Sequence, residues 1–183
     1  SMSTFLPKSD PAVTPSYEAA LADYREQSSI LAGAGVDLIL VEMLIRTVDI
    51  RASVEAAVAT SLPTWVGLSV KSDGGELFLG LRGGWGKERV LEAVEAAEGA
   101  SALFIMHSLI EDTSQGLREL GRYASVPIGA YPHAGGADEV SPEEYLECAR
   151  EWIDLGAEVI GGCCYTTPDH IRLLSDSLPT KLP

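Results

Sequence analysis

Residues 141–171, SPEEYLECAREWIDLGAEVIGGCCYTTPDHI, hold the pattern on which the fold turns. Ser141 is placed to cap a helix, Pro142 fits its first position, and Glu144 completes a capping box. That helix runs to Leu155, and Ala157 to Gly162 follows as a short strand. Thr167-Pro168 then opens a last helix to Leu178. At the strand's exit stand Gly161-Gly162-Cys163-Cys164. Two adjacent thiols are poor core filling there, but they suit a soft metal, which takes thiolates and lowers their pKa. Side chains of neighbouring strand residues point to opposite faces, so both thiols reach one ion only if the chain bends. Gly161 and Gly162 permit the bend. Inert packing and a vicinal disulfide are the alternatives.

Working outward, the same unit recurs. Ser16 to Ala34 has helical spacing of Tyr17, Ala20, Leu21, Tyr24 and Leu31, and Val36 to Val41 reads as a strand ending at Glu42. Asp49 to Thr60 is a helix and Trp65 to Val70 a strand. Lys87 to Gly99 is a helix, and Ala102 to Met106 a strand ending at His107. Asp112 to Tyr123 is a helix, and Val126 to Tyr131 a strand. Residues 1–15 are irregular, and residues 16–183 form a single α/β domain. The strands are continuously apolar, so both faces are buried and the strands run parallel between helices. A doubly wound open sheet and part of a (β/α)₈ barrel both satisfy this pattern.

Chemistry in such folds gathers where strands end. Those ends carry Glu42, Ser69, His107, Tyr131 with nearby His133, and Cys163 with Cys164. Cys148 and His170 read instead as packing and as helix-end structure. The 183 residues are 46% hydrophobic and carry a net charge of −14, which repels phosphate backbones and anionic membranes. No nucleic acid and no membrane is expected as a partner. Ser1-Met2 reads as a cleavage scar before a start codon, and no signal peptide is expected. Three cysteines make no disulfide framework, so a reducing cytoplasm fits.

The chain resembles the homocysteine S-methyltransferases. The resemblance rests on Gly161-Gly162-Cys163-Cys164 with Thr167-Pro168-Asp169-His170-Ile171, on Ala34-Gly35-Val36-Asp37 through Glu42, and on Tyr131-Pro132-His133-Ala134-Gly135. Trp152 followed by Gly156-Ala157 also fits. It implies a (β/α)₈ barrel that holds zinc through three cysteines, two of them matching Cys163 and Cys164. It further implies methyl transfer from a sulfonium, ammonium or corrinoid donor to homocysteine, or a related small thiol, bound to zinc as a thiolate. Glu42 matches the glutamate that holds the substrate's amino group.

Two departures follow. The remaining cysteine's place is taken by His107, so His107, Cys163 and Cys164 become the expected zinc ligands. Glu42, Ser69, Tyr131 and His133 are the expected substrate contacts. The family's first strands have no counterpart, which leaves a partial barrel of about five parallel strands. Five strands cannot close a barrel that needs eight, so a homodimer or a complementing chain is expected. A catalytically inactive homologue acting as a metal- or ligand-binding assembly subunit, or a fragment of a longer methyltransferase, is the alternative to an active enzyme.

Overall fold

The computed structural model of the chain describes residues 2–3, 15–81, 87–135 and 139–179. Six parallel strands form the main sheet: β1 (Met2–Ser3), β2 (Ile39–Leu44), β3 (Thr64–Leu68), β6 (Ala102–Met106), β7 (Ile128–Tyr131) and β8 (Ala157–Ile160). Five are of ordinary length. The sixth, β1, is two residues laid beside Val41 and Glu42, within the segment expected to be irregular; residues 4–14 lie outside the described residues. The described residues also form six helices, five between strands and one after the last: α1 (Tyr17–Gly33), α2 (Thr47–Val58), α3 (Val90–Ala96), α4 (Ile110–Tyr123), α5 (Pro142–Asp154) and α6 (Pro168–Ser177).

Strand order separates the two candidate architectures. The sheet runs β1-β2-β3-β6-β7-β8 without reversal. A doubly wound sheet reverses its order at a switch point, whereas a barrel wall proceeds strand by strand. Each helix packs on the next, from α1 against α2 to α5 against α6, as an outer ring does. The chain is therefore a barrel segment, unclosed among the described residues.

Alternation along the strands confirms two faces. Val66, Leu68, Leu103, Ile105, Ile128 and Ala130 join the core shared with the helices. Their neighbours Trp65, Gly67, Phe104, Met106, Gly129 and Tyr131 point to the opposite, lumen face. There the rings of Trp65, Phe104 and Tyr131 form a chain, with centroids 5.1 and 5.7 Å apart. Glycine makes room for it. A Cβ at Gly129 would lie 2.6 Å from Phe104 Cε1, and one at Gly67 would lie 2.2 Å from Tyr131 Oη. The outer core is anchored by Trp152, fully buried, whose indole N–H donates to Ser114 Oγ at 3.2 Å and whose ring meets Tyr145 edge-on at 5.3 Å.

The sequence reading missed one feature. Between β3 and α3 the chain makes an antiparallel hairpin, β4 (Val70–Asp73) and β5 (Glu76–Leu79), turned through Gly74 and Gly75 at positive φ. It is pinned at the mouth of the sheet, where Val70 N donates to Ser108 Oγ and Ser72 N to Asp112 Oδ1. Among the described residues no helix is long and apolar enough to cross a membrane.

Candidate metal centre

Three loops leave neighbouring strands at one end of the sheet and carry the reactive side chains. His107 follows β6, His133 follows β7, and Cys163 and Cys164 follow β8. Hydrogen bonds of the main chain lace these loops together. Cys163 N donates to Pro132 O at 3.0 Å, Ala134 N to Cys164 O at 2.9 Å, and His133 N to Ser108 O at 3.2 Å. Tyr145, buried on α5, adds its hydroxyl to Gly161 O at 2.9 Å and to Pro132 O at 3.3 Å. A Cβ on Gly162 would lie 2.4 Å from Thr166 Cγ2, so the bend that turns both thiols inward needs glycine for space.

Backbone strain gathers at this rim. Met43, His107 and Tyr165 are three of the four non-glycine residues at positive φ among the described residues, with values of 57°, 47° and 65°. Such conformations persist where the surroundings over-determine them, commonly at functional sites. At His107 the left-handed turn redirects the chain as it leaves β6. At Met43 it coincides with an irregularity in the pairing of β2 with β3, between Val41 and Leu44, which re-aims Glu42.

The geometry brings His107, Cys163 and Cys164 together. His107 Nδ1 lies 3.6 Å from Cys163 Sγ and 3.7 Å from Cys164 Sγ, and the two sulfurs are 3.9 Å apart. The sulfurs are thus far beyond the bond of about 2.05 Å that a disulfide requires, and both cysteines are free thiols. A tetrahedral ion with bonds of about 2.3 Å to sulfur and 2.0–2.1 Å to nitrogen separates its ligands by ~3.8 Å for S···S and ~3.6 Å for S···N. The three separations match one face of that tetrahedron. His133 completes the cluster, with one donor atom from each of the four residues lying within 4.8 Å of the others.

Burial disfavours charge on the donor groups. Burial pushes the Cys163 thiol up to about 11, with Cys164 and Glu42 adding to the rise. Burial also pushes His133 down to about 4, helped by His107, and lowers His107. Without a cation the centre therefore keeps a protonated thiol and neutral imidazoles. Neutral imidazole is the form that ligates a metal ion.

Other residues stand around the donors. Burial, then Glu42 close by, raises the Tyr131 pKa, so its phenol stays protonated; the buried hydroxyl meets no partner at full hydrogen-bond geometry among the described residues. Glu42 makes no ion pair among the described residues, because nearby Arg46 instead forks onto Asp49 with two bonds of 2.6 Å. Ser69 is fully buried and its hydroxyl donates to Met106 Sδ at 3.4 Å. His170 is structural, as read: Nδ1 accepts from Thr167 N at 3.2 Å and Nε2 donates to Val140 O at 2.9 Å. Cys148 packs on the core, as read. Gly67 was missed as a site-shaping residue, although a lone glycine inside an apolar strand marks a close approach.

The sequence matches the family profile of homocysteine S-methyltransferase over residues 2–178. The chain belongs to that family. It is 28% identical over 171 residues to methionine synthase of Mycobacterium leprae (strain TN), covering 85% of this chain and 14% of that protein. It is 26% identical over 175 residues to homocysteine S-methyltransferase 1 of Arabidopsis thaliana, covering 86% and 51%. The fold is similar to the metallated form of the homocysteine methyltransferase MmuM from Escherichia coli, with a TM-score of 0.70, 26% identity, and coverage of 89% of this chain and 52% of that one. The chain thus spans about half the length of the plant relative and of MmuM.

Proposed function

We propose that this chain carries the metal-binding half of a homocysteine S-methyltransferase site, with His107, Cys163 and Cys164 holding zinc. The observation that carries the reading is the triangle of 3.6, 3.7 and 3.9 Å between three donors drawn from two loops. Family membership and the metallated form of MmuM support it. The metal would supply Lewis acidity that keeps a substrate thiol ionised near neutral pH.

The chain's own residues do the remaining work. Glu42, which makes no ion pair among the described residues, is the partner for the ammonium group of homocysteine. The Tyr131 phenol offers a proton on the same side and fixes the orientation of what Glu42 holds, while Ser69 backs Met106 beneath it. The lumen-face rings of Trp65, Phe104 and Tyr131 keep water from below. The methyl donor has to arrive from the open side of the sheet. The β8 edge has no strand beyond it among the described residues, which supports a second copy or a complementing chain across the gap. Reduced thiols at the centre fit a cytoplasmic setting.

Metal analysis of the purified protein tests the reading. About one zinc per chain, lost in Cys163→Ala, is the expected result. Methyl transfer to homocysteine from S-methylmethionine, betaine or a methylcorrinoid then tests the activity. Bound metal with no transfer from any donor, and no gain on adding a complementing chain, favours an assembly subunit.

A further inference from the structure

Tyr165 is aromatic, strained and exposed, and packing does not account for it. It sits at φ 65° in the loop after β8, in the left-handed region that a bulky side chain enters only at a cost. The residue is 60% exposed. Its neighbours close the turn that holds it: Thr166 Oγ1 donates to Cys163 O at 2.7 Å, and Ala134 N to Cys164 O at 2.9 Å. Glycine would serve such a turn without strain. A tyrosine held there against strain, with its side chain towards solvent, points to something outside the chain that the ring meets.

Position gives that role a place. The ring meets the His133 ring with centroids 6.2 Å apart and planes at 76°. Cys164, the preceding residue, carries a sulfur 3.7 Å from His107 Nδ1 and 3.9 Å from Cys163 Sγ. The ring thus stands at the rim of the donor cluster, with most of its surface open to a molecule approaching the sulfurs. Charge selects among such molecules. The net charge of −14 draws small cations. An aromatic face holds an onium group by its quadrupole. The methyl of a corrinoid sits on cobalt and offers a ring face no onium centre.

We propose that Tyr165 selects and aims a cationic methyl donor, a sulfonium or quaternary ammonium compound, at the substrate sulfur. The proposal rests on the thiolate reading above. The thiolate sulfur attacks the methyl carbon and an S–C bond forms. The bond from that carbon to the onium atom breaks, and its electron pair stays on the leaving group. The onium charge vanishes in this step, so the ring lets go of the spent donor. Tyr165 acts on binding and aim, so its loss raises KM for the donor more than it lowers kcat.

Calorimetric titration of the full chain with S-methylmethionine and with betaine tests this, with zinc content measured on the same samples. The control is tert-butylacetate, which has the shape of betaine without its positive centre. In Tyr165→Ala, onium affinity is expected to fall about 3- to 30-fold, and in Tyr165→Phe, which keeps the ring, by less than about twofold. The control should bind more weakly than betaine and lose little in either variant. Tyr165→Gly relaxes the left-handed turn, so it should lose onium affinity with no fall in Tm, which separates a lost ring from a damaged fold. Onium binding indifferent to the loss of the ring, or no onium binding by the unsubstituted chain, would overturn the inference. Zinc-free protein whose onium affinity still depends on Tyr165 would instead sink the metal reading alone.

Discussion

Gly67→Ala is the most demanding test of how the lumen face supports the site. A Cβ built at Gly67 lies 2.2 Å from Tyr131 Oη, 2.9 Å from Met106 Cγ and 3.3 Å from Tyr131 Cζ. A carbon and an oxygen not bonded to each other need more than 3 Å, so the phenol has to retreat by about 1 Å. Overpacking of that size costs about 1–3 kcal/mol. Because Phe104 leans on Tyr131 and Gly129 notches Phe104, the displacement has no slack to run into. Tyr131→Phe removes the clashing oxygen, and the nearest ring atom then stands at 3.3 Å. The double variant should therefore regain most of the stability lost by Gly67→Ala. A double-mutant cycle in urea, read by intrinsic tryptophan fluorescence, measures the coupling. A favourable coupling of about 1 kcal/mol or more is expected. Equal midpoints for Gly67→Ala and the unsubstituted protein, or the same loss with and without the Tyr131 hydroxyl, would refute the close approach.

Tyr145→Phe removes the hydroxyl that donates to Gly161 O and Pro132 O; it should lower stability by about 1–2 kcal/mol and weaken metal binding in a competitive chelator titration. Trp152→Ala, in the fully buried core, should cost about 3–5 kcal/mol by chemical denaturation while leaving the metal ligands in place. In metal-free protein the His133 pKa is depressed to about 4, below its unfolded value of about 6.5. The unfolded chain then binds the extra proton first, so stability present above pH ~6.5 is lost as pH falls towards 4, visible as a falling Tm. With the Cys163 thiol pushed up to about 11, alkylation of metal-free Cys163 by iodoacetamide should rise with a midpoint near that pH rather than near 8.5.

Much of the scaffold is visible in the residues themselves. Strand β6 and the start of α5 fall where the apolar run and the Ser141–Glu144 capping box put them. Both are local signals that tertiary packing does not override. The strand read as Val36 to Val41 is instead Ile39–Leu44. The pairing irregularity at Glu42 and Met43 extends it, and no propensity announces a bulge. The helix read from Lys87 to Gly99 shrinks to Val90–Ala96. The hairpin Val70–Leu79 was legible in principle: Asp73-Gly74-Gly75 sits between Lys71 and the alternating Leu77 and Leu79. At the site, strand ends located His107, Cys163 and Cys164, because side chains at the mouths of parallel strands converge. The depth of His133 was not legible, since it depends on the lacing of its loop to Ser108 and Cys164. Nor was the notch at Gly67, which depends on which residue of β7 leans across β6.

Anomalous scattering at the zinc edge, from crystals of the full chain purified without chelator, measures the central claim most directly. One peak is expected, about 2.3 Å from the sulfurs of Cys163 and Cys164 and 2.0–2.1 Å from His107 Nδ1. A zinc-loaded crystal whose peak lies elsewhere, with those three side chains still gathered and empty, would contradict it.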